Sequence, residues 1–391
     1  MMELKLEEII RATRGRLLNG DKNSTVNKIS TDTRTILEGD FFIPLKGGNF
    51  DGHEYIEMAA KKGAKGFLTE KNIKIKDINT IKVRDTNKAF LDISSYYRKK
   101  FKIPYIAITG SVGKTTTKDM VYMVLSKKYK TLKTQGNFNN EVGLPKTLLN
   151  LKPEHEMAVI ELGMNNFGEI SRLSKTVKPD ISIITNIGLS HIGNFKSKSD
   201  ILKAKLEILD GMNRKGTLVL CGDDSLLSGL RGLIKQKTVY YGIEEDMDYQ
   251  ATRIISNGKN KVEFDVRIRN TDYTFNLNVP GIHNVKNALA AIAIGDINGV
   301  EPADMMEALR DYRSSKMRLV FKEFDGTSVI DDTYNASPDS VKAAVDVLYD
   351  THTEGRKIAV IGDMLELGDY SGDAHYETGK YVSEKEIDKL F

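Results

Sequence analysis

The chain has 391 residues, 40% apolar and 29% charged, with Lys plus Arg exceeding Asp plus Glu by 58 to 54. That length allows two or three domains with ordinary cores, and the composition excludes the disordered and fibrous classes. A net charge of +4 over such a length lacks the concentrated basic face of a nucleic-acid binder. The single cysteine, Cys221, excludes an intramolecular disulfide framework and fits a reducing compartment. The stretch MMELKLEEIIRATRG carries acids among its apolar residues, unlike a secretory signal. The longest apolar run, ALAAIAI at 288–294, is far short of the roughly 18 residues of a membrane span. A cytoplasmic protein with no nucleic-acid partner and no membrane insertion is expected.

Residues 1–100 mix short helices and strands, with turn chemistry at Glu38-Gly39-Asp40, Lys46-Gly47-Gly48 and Asp51-Gly52. A basic stretch broken by Pro104 marks the first boundary. Beyond it, buried strands at 105–109, 157–161, 180–186 and 216–221 alternate with helices at 114–128 and 198–210. Such alternation predicts a parallel sheet covered on both faces. The two-residue period at 262–279 predicts an antiparallel hairpin, and helices follow at 284–297 and 302–312. After Met317-Arg318 the segments TSVIDD, SPDSVKAAVDVLYD and RKIAVIGDM read as strand, helix and strand of a third α/β unit. Fewer than 80 residues follow Arg318, so this unit reads as an incomplete doubly wound domain. The expected division of this α/β chain is 1–100, 101–315 and 316–391.

The sharpest signal is ITGSVGKTTTK at 108–118, between a predicted strand and a predicted helix. Glycines there let the backbone turn tightly and aim successive N–H groups at phosphate oxygens. Gly110, Ser111, Val112, Gly113, Lys114, Thr115 and Thr116 are therefore candidates for holding a nucleoside triphosphate. Lys114 would reach the terminal phosphates, and the Thr115 hydroxyl is placed to ligate Mg²⁺. Ile108 stands where the full consensus has glycine, so the loop is a shortened variant.

Glu161 ends the strand MAVIE, where a phosphate-loop protein keeps its Mg²⁺ carboxylate. His191 follows the strand ISIITNIG; carboxyl ends of parallel strands collect ligands, although a lone histidine there can equally be structural. Lys205 lies within the apolar stripe Ile201, Leu202, Ile208 and Leu209 of its helix. A lysine so placed needs a partner, a snorkelling stem or a lowered pKa. Two readings stay open: a neutral amine that takes up carbon dioxide as a metal-binding carbamate, or a packed stem whose tip reaches a phosphate or carboxylate.

Together these residues resemble the Mur ligases, the ATP-dependent amino-acid-adding enzymes of peptidoglycan synthesis. The resemblance runs along the whole chain: STDTRTILEGDFFIPLKGGNFDGH at 30–53, the phosphate loop, TQGNFNNEVGLP at 134–145 and GIHNVKNALAA at 281–291. DDTYNASPDS at 331–340 and GDMLELG at 362–368 are the specific motifs. They are similar to those of the member that joins D-alanyl-D-alanine to UDP-N-acetylmuramoyl-tripeptide. Ser337 departs mildly from the asparagine usual in the family.

The resemblance implies a UDP-substrate domain, a central P-loop ATPase domain and a C-terminal Rossmann-like domain that receives the amine. It implies ATP and two Mg²⁺ ions, with Thr115 and Glu161 holding one and His191 and N-carboxylated Lys205 the other. Lys114, His191, Lys205 and Glu161 would form the catalytic group. Arg318 would join Lys114 at the γ-phosphate, with Asn287 by the adenine and Asp332 meeting the nucleotide. Asp32, Arg34, Lys46 and Gly47 would surround the uridine diphosphate, although Asp32-Thr33-Arg34 also reads as a turn with a local ion pair. Asn137, Asn139 and Asn140 would contact the substrate or the ATP-domain loop, with Tyr334 and Asn335 also on the substrate side. A monomer is expected. A catalytically silent nucleotide-binding fragment and another amide ligase of the superfamily are the competing readings.

Overall fold

The computed structural model describes residues 3–256 and 261–391. The chain forms two compact units: residues up to Ile103 with Thr134–His155, and Pro104–Lys133 with Glu156–Phe391. The segment from Thr134 therefore leaves the alternating series and joins the first unit. There the helix Gly143–Leu148 packs on the helix Thr86–Arg98. The Tyr97 hydroxyl donates to the Leu151 carbonyl at 3.0 Å.

In the first unit, among the described residues, the main sheet runs in the order Arg16–Asn19, Asn79–Lys82, Gly66–Thr69, Phe41–Phe42, Ile29–Ser30. All its pairings are parallel except that between Arg16–Asn19 and Asn79–Lys82. Phe42 and Phe67 pack with Ile36, Ile56, Ala59 and Ala64 beneath it. The turn expected at 46–52 is closed at both ends: Gly47 N–H donates to the Phe50 carbonyl at 3.0 Å, and Gly52 N–H to Leu45 at 2.9 Å.

The second unit is built on a sheet whose described strands run in the order Thr271–Leu277, Val262–Ile268, Tyr249–Ser256, Lys237–Gly242, Thr217–Cys221, Ile181–Ile184, Tyr105–Thr109, Met157–Glu161, Thr131–Lys133. Every neighbour is parallel from Thr131–Lys133 as far as Tyr249–Ser256, and the last two pairings are antiparallel. The strands Tyr105–Thr109, Met157–Glu161 and Ile181–Ile184 are buried at every residue, as strands covered on both faces must be. From Tyr105–Thr109 the chain runs to Thr131–Lys133 and Met157–Glu161 on one side, then crosses to Ile181–Ile184 on the other. That reversal leaves a crevice at the carboxyl ends, where ligands of open α/β sheets sit. The phosphate loop, Glu161 and the loop after Ile184 all emerge at that edge.

The helix Ile282–Ile297 packs on the helix Lys114–Ser126 and on the strands Thr217–Cys221 and Lys237–Gly242. Its residues 287–295 are all buried, and a helix apolar all round belongs inside a core. The expected antiparallel hairpin is present as Val262–Ile268 and Thr271–Leu277.

The third stretch departs from the predicted strand–helix–strand series. TSVIDD does not join a parallel sheet. As Thr327–Asp331 it pairs antiparallel with Val320–Phe324 in a separate two-stranded ribbon. Asp325 and Gly326 both have positive φ, +44° and +80°, the two-residue Asp-Gly turn that closes a hairpin. The helix Pro338–Asp350 follows as expected, with Ser337 as its N-cap. RKIAVIGDM contributes only Ile358–Ala359, parallel to Lys389–Leu390. Among the described residues no helix is long and apolar enough to cross a membrane.

Leu289 lies fully buried in the helix that supports the phosphate-loop helix. Leu289→Ala should lower the unfolding free energy by about 2–5 kcal/mol, the cost of an unfilled core site. Urea denaturation of the two proteins, monitored by circular dichroism, measures the difference.

Candidate functional site

The phosphate loop takes its shape from contacts that only small or polar residues allow. Gly113 has φ +81°, and a Cβ there would stand 2.7 Å from Asn287 Oδ1. Asn287 Oδ1 also accepts from the Thr117 hydroxyl at 3.0 Å. The structure thus places Asn287 directly beneath the loop. Asn186 Oδ1 accepts from Ser111 N–H at 3.1 Å and Val112 N–H at 2.9 Å. The Thr185 hydroxyl donates to the Val112 carbonyl at 2.6 Å and crowds Gly110, where no side chain would fit. Among the described residues no side chain caps the helix that begins at Lys114. Its first-turn N–H groups meet the crevice, as anion binding requires. Thr116 bonds through its side chain to the buried Tyr312.

Lys114 folds back on the loop, its Nζ donating to the carbonyls of Gly110 at 2.8 Å and Ser111 at 3.1 Å. Burial pulls its pKa below the ordinary lysine range; Glu161 opposes the shift and Arg318 adds to it. Glu161 is 2% exposed, and Lys118 Nζ stands 4.0 Å from its Oε2. Arg318 Nη2 donates to Thr115 Oγ1 at 3.4 Å, and its guanidinium lies 4.1 Å from the centre of the Tyr334 ring. Asp332 Oδ1 accepts from Leu319 N–H at 3.2 Å, and burial pushes its carboxyl up to about 6. Asn335 is exposed.

Lys205 occupies the buried face of Lys198–Leu206 and its continuation, with Ile201, Ala204 and Ile208. It is 1% exposed, and among the described residues no carboxylate forms an ion pair with it. Burial, with Lys114 nearby, drives its pKa well below the lysine range. The amine is thereby biased toward the neutral, nucleophilic form. His191 caps a short 3₁₀ turn with φ +63° and faces the carboxylate of Glu366. Burial lowers its pKa, with Glu366 opposing and Lys114 and Lys205 adding to the shift. Lys114, Thr115, Glu161, His191, Lys205 and Arg318 therefore form one electrostatic neighbourhood.

The donor chemistry suits Mg²⁺. The Thr115 hydroxyl and the Glu161 carboxylate are hard oxygen donors. Among the described residues no group of three His, Cys, Asp or Glu side chains could hold a metal unaided. A cation held there would take the rest of its ligands from phosphates and water, as Mg²⁺ commonly does.

The remaining sequence candidates lie in the other unit. Asp32 accepts from Arg34 N–H at 2.9 Å and from its guanidinium at 2.7–3.1 Å, the local ion-paired turn. Lys46 Nζ pairs with Glu70, and the Lys46 backbone is held from both sides by the Asn87 amide at 2.9 and 2.8 Å. Gly47 lies under the exposed Phe50 ring. Asn140 Oδ1 accepts from Val142 and Gly143 N–H groups; Asn139 N–H donates to the Asn137 carbonyl.

Sequence reasoning missed Thr185, Asn186, Lys118 and Glu366. Lys118 carried a signal, since it lies four residues after Lys114 on one face of the helix. Asn186 was visible only as the end of a strand.

Three family models match in order: the Mur ligase family catalytic domain at 25–106, the Mur ligase middle domain at 108–295 and the Mur ligase glutamate ligase domain at 317–391. UDP-N-acetylmuramoyl-tripeptide–D-alanyl-D-alanine ligase from Bacillus subtilis is 39% identical over 100% of this chain and 85% of its own length. The Escherichia coli ligase of the same name is 32% identical over 100% of this chain and 86% of its own. A crystal structure of MurF from Acinetobacter baumannii superimposes with a TM-score of 0.94 at 34% identity, covering 99% of this chain and 85% of that one. MurF from Thermotoga maritima in complex with ADP gives 0.83 at 26% identity, covering 93% and 88%. With an identity of 39% sustained along its whole length, and a phosphate loop, Glu161, His191 and buried Lys205 gathered at one sheet edge, the chain belongs to the Mur ligase family.

Proposed function

We propose that this chain is the ATP-dependent ligase that joins D-alanyl-D-alanine to UDP-N-acetylmuramoyl-tripeptide in the cytoplasm, acting as a monomer. One observation carries the reading. The half-buried Lys114, the buried Lys205 and Glu161, His191 and Arg318 converge where the phosphate loop meets the carboxyl ends of the sheet. This occurs in a chain 39% identical to a ligase of that name.

The reaction brings two anions together: ATP and the carboxylate of the tripeptide. The γ-phosphoryl group passes to the carboxylate oxygen, giving an acyl phosphate and ADP. The dipeptide amine then attacks the acyl carbon and loses a proton. The tetrahedral adduct expels phosphate and leaves the amide. Positioning and charge neutralisation dominate such chemistry.

Burial lowers the Lys114 pKa, and a triphosphate lying against it would favour its ammonium form, because a neighbouring anion stabilises the charged state. Arg318 adds a second cation from the C-terminal part of the chain. Asn287 and Asn186 hold the loop in shape, and Asp332 steadies the backbone beside Arg318. Thr115 and Glu161 would hold one Mg²⁺, and His191 with N-carboxylated Lys205 a second. Bound there, the ions would supply charge neutralisation between the nucleotide and the carboxylate. Lys205 suits this assignment because a neutral amine reacts with carbon dioxide and the resulting anion has cations around it. Asp32, Arg34, Lys46, Gly47, Asn137, Asn139 and Asn140 would bind the UDP-linked substrate, with Tyr334 and Asn335 on the side of the incoming dipeptide.

Lys114→Ala should cut ATP turnover by at least about 100-fold, while the affinity for UDP-tripeptide stays within about threefold. Phosphate release and equilibrium binding of the tripeptide nucleotide separate the two effects; equal loss of both would overturn the assignment of separate sites. Lys205→Ala should be nearly inactive and recover part of its turnover when a short carboxylic acid is added. An inactive variant that no acid restores would remove the carbamate and leave a plain lysine contact.

A further inference from the structure

The GDMLELG segment is not used by the chemistry above, yet it reaches the site. Gly193 N–H donates to the Glu366 carbonyl at 2.9 Å, and the Glu366 carboxylate lies against His191 Nδ1. A Cβ on Gly193 would stand 2.7 Å from the Gly368 nitrogen and 2.9 Å from the Glu366 carbonyl oxygen. The two backbones therefore touch, and no other residue at 193 would permit it. The Tyr370 hydroxyl donates to the Lys196 carbonyl at 2.7 Å, just before the helix that carries Lys205.

Two further features show that this contact is built with care. His191 and Glu366 both sit in the left-handed region, at φ +63° and +62°. Non-glycine residues persist there only when their surroundings over-determine them. The segment is also braced from behind. His375 Nε2 accepts from Met364 N–H at 3.0 Å, while its Nδ1 meets the Ser371 carbonyl at 2.8 Å. Leu367 and Met364 are buried, which anchors the backbone on either side of Glu366.

From this arrangement we propose that Glu366 is a positioning residue for the ligase reaction, acting through His191. By accepting from Nδ1–H, its carboxylate fixes the ring and leaves the Nε2 lone pair for the reaction site, as carboxylates do behind ligating histidines. Glu366 arrives on the C-terminal stretch, so the site acquires its oriented histidine only when GDMLELG is seated on the 188–196 loop. The inference rests on the reading of His191 as a site residue.

The test is a double-mutant cycle in the full-length protein, with a spectroscopic readout beside it. Glu366→Gln should lower kcat about 10–100-fold, with the KM for UDP-tripeptide within about twofold. In a His191→Ala background the same change should have no further effect, because a residue acting through His191 has nothing left to orient. In ¹⁵N-histidine-labelled protein without nucleotide, His191 should be a single Nδ1–H tautomer in the parent and a mixture in Glu366→Gln. Glu366→Asp should keep the tautomer and part of the activity. Additive losses in the cycle, or an unchanged tautomer in Glu366→Gln, would overturn the inference while leaving His191 in the site. Full activity of His191→Ala would instead overturn the reading on which the inference rests. Gly193→Ala provides a check that leaves both side chains in place: the crowding should unseat the segment and reproduce the loss of the single tautomer. Retention of that tautomer would show that seating is irrelevant.

Discussion

The cost of holding cations away from water organises this site. Lys205 is buried and Lys114 half-buried; desolvation lowers the proton affinity of both, Arg318 adds to the shift at Lys114, and Lys114 adds to the shift at Lys205. Isolated buried ammonium groups are expensive, and a protein tolerates them by neutralising them or by supplying an anion. The Glu161 carboxylate is a buried anion, but it lies within reach of Lys118 as well as acting on Lys114. The arrangement is therefore short of negative charge until a polyphosphate binds. Binding energy and catalytic charge stabilisation come from the same deficit, which is why the reacting anions can be gathered in a low-dielectric place.

Everything nearby serves to keep that deficit in position. The strand Tyr105–Thr109 lies between two parallel neighbours, so the phosphate loop cannot shift along the sheet without breaking both ladders. Asn186, Thr185 and Asn287 then fix the loop from the adjoining strand end and from the helix beneath. Ser197 caps the helix on which Lys205 sits, and the pattern of Ile201, Ala204 and Ile208 turns the lysine inward. A lysine on an apolar stripe contradicts the local pattern. Such contradictions are expected where function, rather than folding, selects the residue.

That contradiction made Lys205 legible in the sequence, as strand–loop–helix context made the phosphate loop legible. The parallel sheet followed from fully apolar strands alternating with helices. What the sequence hid was pairing between distant segments. Asn186 acquires its role because Ile181–Ile184 pairs with residues 106–109, a fact that no local pattern encodes. The segment after Thr134 resembles one more connection in the series, and only its packing against the helix Thr86–Arg98 draws it into the other unit. The ribbon at 320–331 did carry a signal, Asp325-Gly326. The apolar run TSVID that follows it imitates the opening strand of a doubly wound unit.

Glu366 shows the same limit at the level of single residues. In the sequence it is one residue of the motif GDMLELG, and its left-handed backbone would be costly in isolation. The cost is offset by the seating of the segment: a backbone hydrogen bond to Gly193, a tyrosine hydroxyl on the Lys196 carbonyl and a histidine brace behind Met364. Each is a modest interaction alone, of about 1 kcal/mol. Acting together they make docking cooperative, because none can form without placing the others. An interface of that kind is either seated or unseated, with little between. A histidine oriented by such an interface therefore ties the assembly of the phosphate site to the docking of the C-terminal stretch. The chemistry is then confined to the arrangement in which Arg318 also reaches Thr115.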